Sequence, residues 1–471
     1  MDKKNYQIGM IGLGVMGRNL VLNMSDHGYS VAGYDKNSEM VQRLNEEAQK
    51  RPVEGFEDLQ QFVKSLQKPR SVMMLVPAGK PVDAVIRELL SELDKGDLII
   101  DGGNSHFTDT NLRAKTLAEK GIVYLGVGIS GGESGARHGP SMMPGGAEEA
   151  YERVRPIFEA AAAHVNGESC VTLLGPGSAG HYVKMVHNGI EYGIMQLISE
   201  IYDLMKRGLG MTDDEIHQVF VNWNKEELNS YLVEITGAIF NEIDEQTGKP
   251  LIDVILDEAK QKGTGMWTSQ DAMDLQVPTP TIDLAVAMRN LSAMKDERQR
   301  ASRLLAGKVK QYEGEKDAFI MHLRNALYAG MIISYAQGFA QLHVASREYG
   351  YHLVLEDVAR IWRGGCIIRS ALLEQICSAF KRDHELPNLL LDSSLGSQVM
   401  ERKNDLQTVI SSGVQLDIPT PGLMVSLAYL NGYRSEWLPA NLIQAQRDYF
   451  GAHTYERIDE KGVFHTKWEI E

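Results

Sequence analysis

Short apolar runs alternate with amphipathic helical patterns over the first third of the chain. The runs Gln7–Ile11, Ser30–Tyr34, Ser71–Val76, Leu98–Asp101, Val123–Leu125 and Val171–Leu173 predict strands. Helical periodicity fills most of the gaps, as in Val15–His27 and Pro81–Leu93. That alternation predicts an α/β domain built on a parallel, doubly wound sheet. After Gly175-Pro176-Gly177-Ser178 strand-like runs become rare. Long segments of 3.6-residue period take over: Gly180–Arg207, Thr212–Ile235, Asp283–Tyr312 and Asp317–Tyr349. The second domain is therefore expected to be all-α. A faint similarity within it reads either as an internal duplication or as a chance likeness of amphipathic helices. HNGIEYGIM from His187 resembles RNALYAGMI from Arg324, and EIHQVF from Glu215 resembles DVARIW from Asp357. From about Ser435 the character changes again. The stretch DYFGAHTYERIDEKGVFHTKW is rich in aromatics, Gly and His and has little helical period. It reads either as a tail lying on another surface or as a segment folded on its own domain. The expected divisions are residues 1–178, 179–434 and 435–471.

The chain has 471 residues, enough for two or three domains with real cores. A net charge of -15 disfavours nucleic acid or an anionic membrane as partner. It does not disfavour a small anionic substrate, which a local basic cluster can hold. Cys170, Cys366 and Cys377 are too scattered for a disulfide framework or a zinc cluster, which points to a reducing cytoplasm. The opening MDKKNYQIGMIGLG runs directly into a strand and turn, so no cleavable signal is expected. The apolar stretch Ile320–Leu342 is broken by Arg324, Asn325, Gln337 and Gln341 and reads as a buried helix, not a membrane span.

The chemistry begins at Gly12-Leu13-Gly14-Val15-Met16-Gly17, between a predicted strand and a predicted helix. Gly12 permits a tight turn, Gly14 lets a pyrophosphate approach the backbone, and Gly17 lets helix and strand pack closely. Asp35 follows at the end of the next strand. A carboxylate there accepts both ribose hydroxyls of NAD and repels a 2′-phosphate; Lys36 partly offsets that repulsion. Asp101-Gly102-Gly103-Asn104-Ser105 closes a later strand at the carboxyl edge, where ligands of open sheets bind. Asn104 suits a polyol or the nicotinamide amide. The loop from Gly128 through Ser130, Gly131 and Gly132 to Gly135 offers successive N–H groups and a hydroxyl to an anion.

Lys184, His187, Asn188 and Glu191 lie three, four and seven residues apart. On a helix they share one face, and Lys184 and Glu191 are the candidate general base and general acid. An i,i+7 pair on a solvated face is the alternative. His187 and Glu191 lack a third metal ligand, so no metal is expected. Lys262-Gly263-Thr264-Gly265 and Arg289 have the groups a phosphate monoester needs.

With these residues assembled, the chain resembles the decarboxylating 6-phosphogluconate dehydrogenases along essentially its whole length. The resemblance is carried by IGLGVMGRNLVLNM, DGGNSHFTDT, GISGGESGARHGPSMMPGG, KMVHNGIEYG, QKGTGMWT and RDYFGAHTYER. It implies a Rossmann-type domain, a large helical domain and a C-terminal tail that threads into the partner of a homodimer. It implies oxidative decarboxylation of 6-phosphogluconate to ribulose 5-phosphate and CO2, a step of the pentose phosphate pathway. Lys184 matches the family's base and Glu191 its acid. Asn104, Ser130, Gly131, Gly132, His187 and Asn188 match residues that hold the sugar chain and carboxylate. Tyr192, Lys262, Thr264 and Arg289 match the phosphate site. Arg447 and His453 match ligands supplied by the other subunit, so each site would be shared. Gly12 to Gly17, Asp35, Lys36, Asn37, the turn Val76-Pro77-Ala78 and Asn104 form the expected cofactor set.

Three positions depart from the family's pattern. Gly14 stands where Ala is usual. Asp35-Lys36-Asn37 replaces the Asn-Arg-Thr of NADP-dependent members, and Pro77 stands where many have Lys. The last two remove positive charge near the adenosine end. The family default is NADP, but these residues lean towards NAD or dual use. Two other readings compete. One is a related β-hydroxyacid dehydrogenase acting on an unphosphorylated acid, against which Lys262, Thr264, Arg289 and Arg447 argue. The other is a non-catalytic sensor, against which Lys184 and Glu191 argue.

Overall fold

The computed structural model describes residues 5–468 apart from 306, 308 and 309. One sheet is formed by β1 (Ile8–Ile11), β2 (Val31–Tyr34), β3 (Val53–Phe56), β4 (Ser71–Met74), β5 (Leu98–Asp101), β6 (Val123–Ser130) and β7 (Ser141–Gly146). The order across it is β3-β2-β1-β4-β5-β6-β7. All neighbours are parallel except β6 and β7. The chain winds outward from β1 to β3, then crosses back to β4. The crevice beyond the carboxyl ends of β1 and β4 is thus the switch point at which open sheets of this kind bind ligands. Apolar cores cover both faces, as a parallel sheet requires.

The two edge strands were not evident from pattern. β3 reads VEGF and is only half-buried, so it shows no apolar run. β7 reads SMMPGG, whose Pro and Gly resemble a turn; proline is tolerated there because β7 is an edge. The expected strand Val171–Leu173 does not form. Val171 makes an isolated bridge to Met142, and a short hairpin, β8 (His164–Val165) with β9 (Glu168–Ser169), precedes it. Met142 N–H donates to Cys170 O and Leu174 N–H to Pro144 O. Pro144 has no N–H to give, so the ladder between these segments cannot become regular.

Beyond the sheet domain the chain is almost entirely helical. Ala179–Asp203 and Lys316–Glu348 pack against each other at the centre of one large apolar core. The helices that carry HNGIEYGIM and RNALYAGMI lie against each other: a Cβ on Gly330 would stand 2.8 Å from Leu197 and one on Gly338 2.4 Å from Ile190. Further on, Pro280–Ser292 and Pro421–Tyr433 both begin after a Thr-Pro step. Their N-caps Thr279 and Thr420 have matching dihedrals, φ -124° and ψ 48° against φ -129° and ψ 50°. Each of these N-termini is capped by a side chain from one of the two central helices. Glu200 accepts from Gly422 N (2.6 Å) and Leu423 N (2.9 Å), and Gln337 accepts from Thr281 N (3.0 Å).

Glu200 is buried, and burial pushes its pKa up to about 7, partly countered by its donors. Its folded pKa lies above the unfolded one, so the folded state binds more protons between pH 4.5 and about 7. Stability is therefore lost as pH rises through that window. Glu200→Gln should abolish that loss, worth on the order of 2 kcal/mol, as read by denaturant unfolding at pH 5 and pH 8.

Two expected helices and the tail differ in detail. Thr212–Ile235 divides into Asp213–Trp223 and Tyr231–Phe240, because Ser230 caps the second by accepting from Val233 N. Asp283–Tyr312 divides into Pro280–Ser292 and Lys295–Leu304; its later part includes residues outside those described. The tail contains a helix, Ala440–Gly451, where little helical period was expected. Among its residues only Asp448 is buried, so no apolar face is sorted against this chain's core. Among the described residues no helix is long and apolar enough to cross a membrane.

Candidate active site

Three loops converge at the carboxyl edge of the sheet. The first is the Gly12 turn after β1. Gly12 has φ +92°, its N–H donates to Tyr34 O (3.0 Å), and a Cβ there would lie 2.4 Å from Leu75 O. The helix Val15–Asp26 starts at Gly14 with no side-chain cap and no acidic residue in its first turn. Its open amides and partial positive charge suit a pyrophosphate. A Cβ on Gly14 would meet nothing within 4 Å, so the Ala of other family members fits equally well. Leu13 is buried beneath the turn, Val15 is exposed, and Met16 packs on the sheet core.

The second loop follows β4. A Cβ on Gly12 would lie 3.1 Å from the Val76 side chain, and one on Gly103 3.1 Å from Val76 O. Val76 thus separates the first loop from the third, while Pro77 and Ala78 are exposed beside it. Asp35 follows β2 beside the first turn. Its Oδ2 accepts from Leu13 N (2.7 Å) and its Oδ1 from Asn37 N (2.9 Å), while Asn37 caps the next helix through Glu39 N. Lys36 pairs with Glu88 at 2.7 Å, both exposed.

The third loop follows β5. Asp101 is fully buried and shapes it, accepting from Gly103 N (3.0 Å), Ser105 Oγ (2.6 Å) and Tyr124 OH (2.9 Å). Arg113 lies 3.6 Å away, and His181 bonds Asp101 O at 3.1 Å, tying the loop to the long helix. Asn104 is left exposed at the tip. Sequence reasoning missed this Asp101–Arg113–His181 frame, since its members touch one another rather than a ligand.

The long helix Ala179–Asp203 runs beneath β6, so close that a Cβ on Gly128 would lie 2.3 Å from that of Lys184. Lys184 is 5% exposed, which removes the solvated-face alternative. Burial draws its pKa down to about 8, against the opposing pull of Glu191. Glu191 is raised, again by burial, with Lys184 and Arg289 opposing. Desolvation thus brings an amine and a carboxyl towards neutral pH on one helix face, as proton transfer requires.

His187 sits between them. Its Nδ1 lies 3.3 Å from Lys184 Nζ, 3.1 Å from Asn188 Oδ1 and 3.9 Å from Glu191. Its Nε2 meets Ser130 Oγ at 3.1 Å. Burial first, then the lysine charge, hold it well below its ordinary pKa, so the ring is neutral. Ile367 N–H donates to Ser130 Oγ (3.3 Å), and Trp362 stands edge-on to the His187 ring at 5.5 Å. This back wall was also missed. Gly364-Gly365 was its signal: a Cβ on Gly131 would lie 2.6 Å from Gly365 O. Ser130 ends β6, and Gly131 and Gly132 open the short helix Gly132–His138.

Three of the phosphate candidates, Tyr192, Thr264 and Arg289, gather one turn further along. Arg289 stacks on Tyr192, its guanidinium carbon 3.4 Å from the ring centroid, and donates to Lys260 O at 3.2 Å. A Cβ on Gly265 would lie 2.3 Å from the Tyr192 ring, which places Thr264 at the same junction. Lys262 is exposed nearby in sequence. Arg447 and His453 do not join this group within the chain. Arg447 bonds Gln444 (3.0 Å) and His453 faces Phe450 (5.7 Å), all within the tail.

Two family models match. Residues 7–175 match the NAD binding domain of 6-phosphogluconate dehydrogenase and residues 180–468 its C-terminal domain. The chain is 54% identical to a Bacillus subtilis protein over 98% of its own length and 99% of that protein's. That relative is a 6-phosphogluconate dehydrogenase, NADP(+)-dependent, decarboxylating. A Lactococcus lactis 6-phosphogluconate dehydrogenase, decarboxylating, is 50% identical over the whole of both chains. Among solved structures, Plasmodium falciparum 6-phosphogluconate dehydrogenase superposes with a TM-score of 0.94 at 43% identity, covering 98% of this chain and 100% of that one. That enzyme is described in its apo form and in complexes with its cofactor NADP+ and its substrate 6-phosphogluconate.

Proposed function

The chain belongs to the family of decarboxylating 6-phosphogluconate dehydrogenases, and on that premise we propose that Lys184 is its general base and Glu191 its general acid. The observation that carries this assignment is their place on one helix face, with Lys184 buried and drawn down to about 8 and Glu191 half-buried and raised by desolvation.

NADP+ fits the Gly12–Gly17 turn and its uncapped helix N-terminus, and when bound supplies the hydride acceptor for C3. Leu13, Val15, Met16, Asp35, Lys36, Asn37, Val76, Pro77, Ala78 and Asn104 line its remaining length. Lys184 takes the proton of the C3 hydroxyl as C3 is oxidised. The resulting 3-keto acid has its carboxylate β to a carbonyl, which accepts the electron pair as CO2 leaves. The lysine, now an ammonium, stabilises the enolate oxygen, so no metal is needed. Glu191 then protonates C1 of the enediol to give ribulose 5-phosphate. His187, held neutral, and Asn188, Ser130, Gly131 and Gly132 orient the hydroxyls and carboxylate. Tyr192, Lys262, Thr264 and Arg289 take the phosphate.

The chain works as a homodimer. Trp437, Leu442, Ile443 and Phe450 are all more than half exposed around the tail helix, an apolar surface that a second copy covers. Arg447 and His453 ride on that tail and complete the partner's site.

The test is paired release of CO2 and NADPH from 6-phosphogluconate but not from gluconate; equal rates on both would refute the phosphate assignment. Asp35 governs the cofactor. Its two oxygens are already engaged by the Leu13 and Asn37 amides, which fixes the carboxylate at the end of β2, where the adenosine ribose would lie. Asp35→Asn should raise the NADP-over-NAD ratio of kcat/KM by about tenfold, close to 1.4 kcal/mol. An unmoved ratio removes Asp35 as the determinant.

A further inference from the structure

The tail carries its own polar centre. Asp448 is completely buried although the helix around it is exposed. Four donors converge on its carboxylate. Oδ1 accepts from Thr454 N (2.9 Å) and His465 Nδ1 (2.8 Å). Oδ2 accepts from Thr466 N (3.0 Å) and Trp468 Nε1 (3.0 Å). Burial pushes the carboxyl up, but the donors outweigh it and hold it near 2, so it is ionised at every working pH. All of these partners lie within the tail. The carboxylate therefore closes the end of the Ala440–Gly451 helix onto the Tyr455–Phe464 hairpin bridge rather than tying the tail to the body.

What it closes is an unfavourable corner. Ala452 has φ +50° and Thr454 φ +61°, both in the left-handed region. That region costs a residue with a Cβ, and a β-branched one most. Such a conformation persists only where surrounding contacts over-determine it. Here Thr454 N–H is fixed by Asp448 Oδ1, Thr454 O accepts from Gln444 Nε2 (2.5 Å), and Ala452 N–H donates to Asp448 O (2.9 Å). His453 is the residue held between the two left-handed positions. Arg447 adjoins Asp448 and is steadied by the same Gln444 at 3.0 Å.

We propose that Asp448 is a positioning residue for the shared site: its carboxylate sets the corner that presents Arg447 and His453 to substrate in the partner subunit. This rests on the reading that those two residues complete the partner's site. The corner is formed before docking, so the ordering cost of two mobile side chains is not charged against substrate binding. The isosteric amide cannot reproduce it. One of its two terminal atoms is a donor and would face the N–H groups that now point at an oxygen.

The experiment uses the full-length dimer and measures KM for 6-phosphogluconate, kcat, the NADP+ dissociation constant and the sedimentation coefficient. Asp448→Asn should raise KM at least about tenfold, with kcat within about threefold and NADP+ affinity unchanged. Adding Thr454→Gly should restore most of the lost KM, because glycine holds a positive φ without help. A normal KM in Asp448→Asn, or no rescue by glycine, overturns the proposal. Arg447→Ala and His453→Ala report on the underlying reading. If they also leave KM unchanged, that reading fails; if they raise it while Asp448→Asn does not, only the role of Asp448 fails. Should Asp448→Asn lose the dimer, Trp468→Phe, which removes one donor of the four, decides instead. It should raise KM about threefold, and an unchanged value overturns the proposal.

Discussion

Lys184→Met should lower kcat for 6-phosphogluconate by on the order of 10³–10⁴, since the amine acts first as base and then as the cation beside the enolate. Substrate affinity should change by less than about threefold, because phosphate and carboxylate contacts lie on other residues. Equilibrium binding beside steady-state turnover separates the two. Unfolding does not explain such a loss, because the same substitution should stabilise the protein. The folded pKa of Lys184 is depressed to about 8, so its charged form is penalised in full at pH 7. The penalty fades as pH rises from about 8 towards 10.5. Methionine escapes it, so the variant should gain on the order of 2 kcal/mol at pH 7 and progressively less above pH 8. Turnover within tenfold of the parent would show that another group takes the proton.

The second large effect concerns the sharing of sites. Homodimers of Lys184→Met and of the double variant Arg447→Ala, His453→Ala should each be nearly inactive. Mixed after reversible dissociation, they should regain about a quarter of parental activity. Half of the dimers are then mixed, and in each of those one site receives both lesions and the other neither. If the tail served its own subunit, both sites of a mixed dimer would be damaged and mixing would recover nothing.

How much of this was legible in the chain depends on what each residue touches. Lys184, His187, Asn188 and Glu191 form one helical face, so spacing alone placed them together, and the burial of the first three was the missing fact. The Gly12 turn was legible because a phosphate loop needs small residues at fixed offsets. The back wall was not. Ile367 and Trp362 meet Ser130 and His187 across long separations in sequence, and no period connects such positions. Asp101 was read only as the end of a strand, because its role is to fix the loop through Gly103, Ser105 and Tyr124 and not to touch a ligand. Edge strands β3 and β7 were hidden because half-burial and Pro144 erase the apolar run by which the inner strands were recognised. The tail misled in the opposite direction. Among the residues of its helix only Asp448 is buried, so its apolar residues show no ordered stripe.

Burial and Glu191 together set the proton affinity of Lys184, and the proposed chemistry stands on that balance. The decisive measurement is the pH dependence of kcat/KM for 6-phosphogluconate in the parent and in Glu191→Gln. In the parent the acidic limb should rise through an apparent pKa near 8, as the amine loses its proton. In Glu191→Gln that limb should move to lower pH, because the charge that opposes desolvation is gone. A limb that stays in place, or moves to higher pH, would be incompatible with Lys184 as a base tuned by its neighbour.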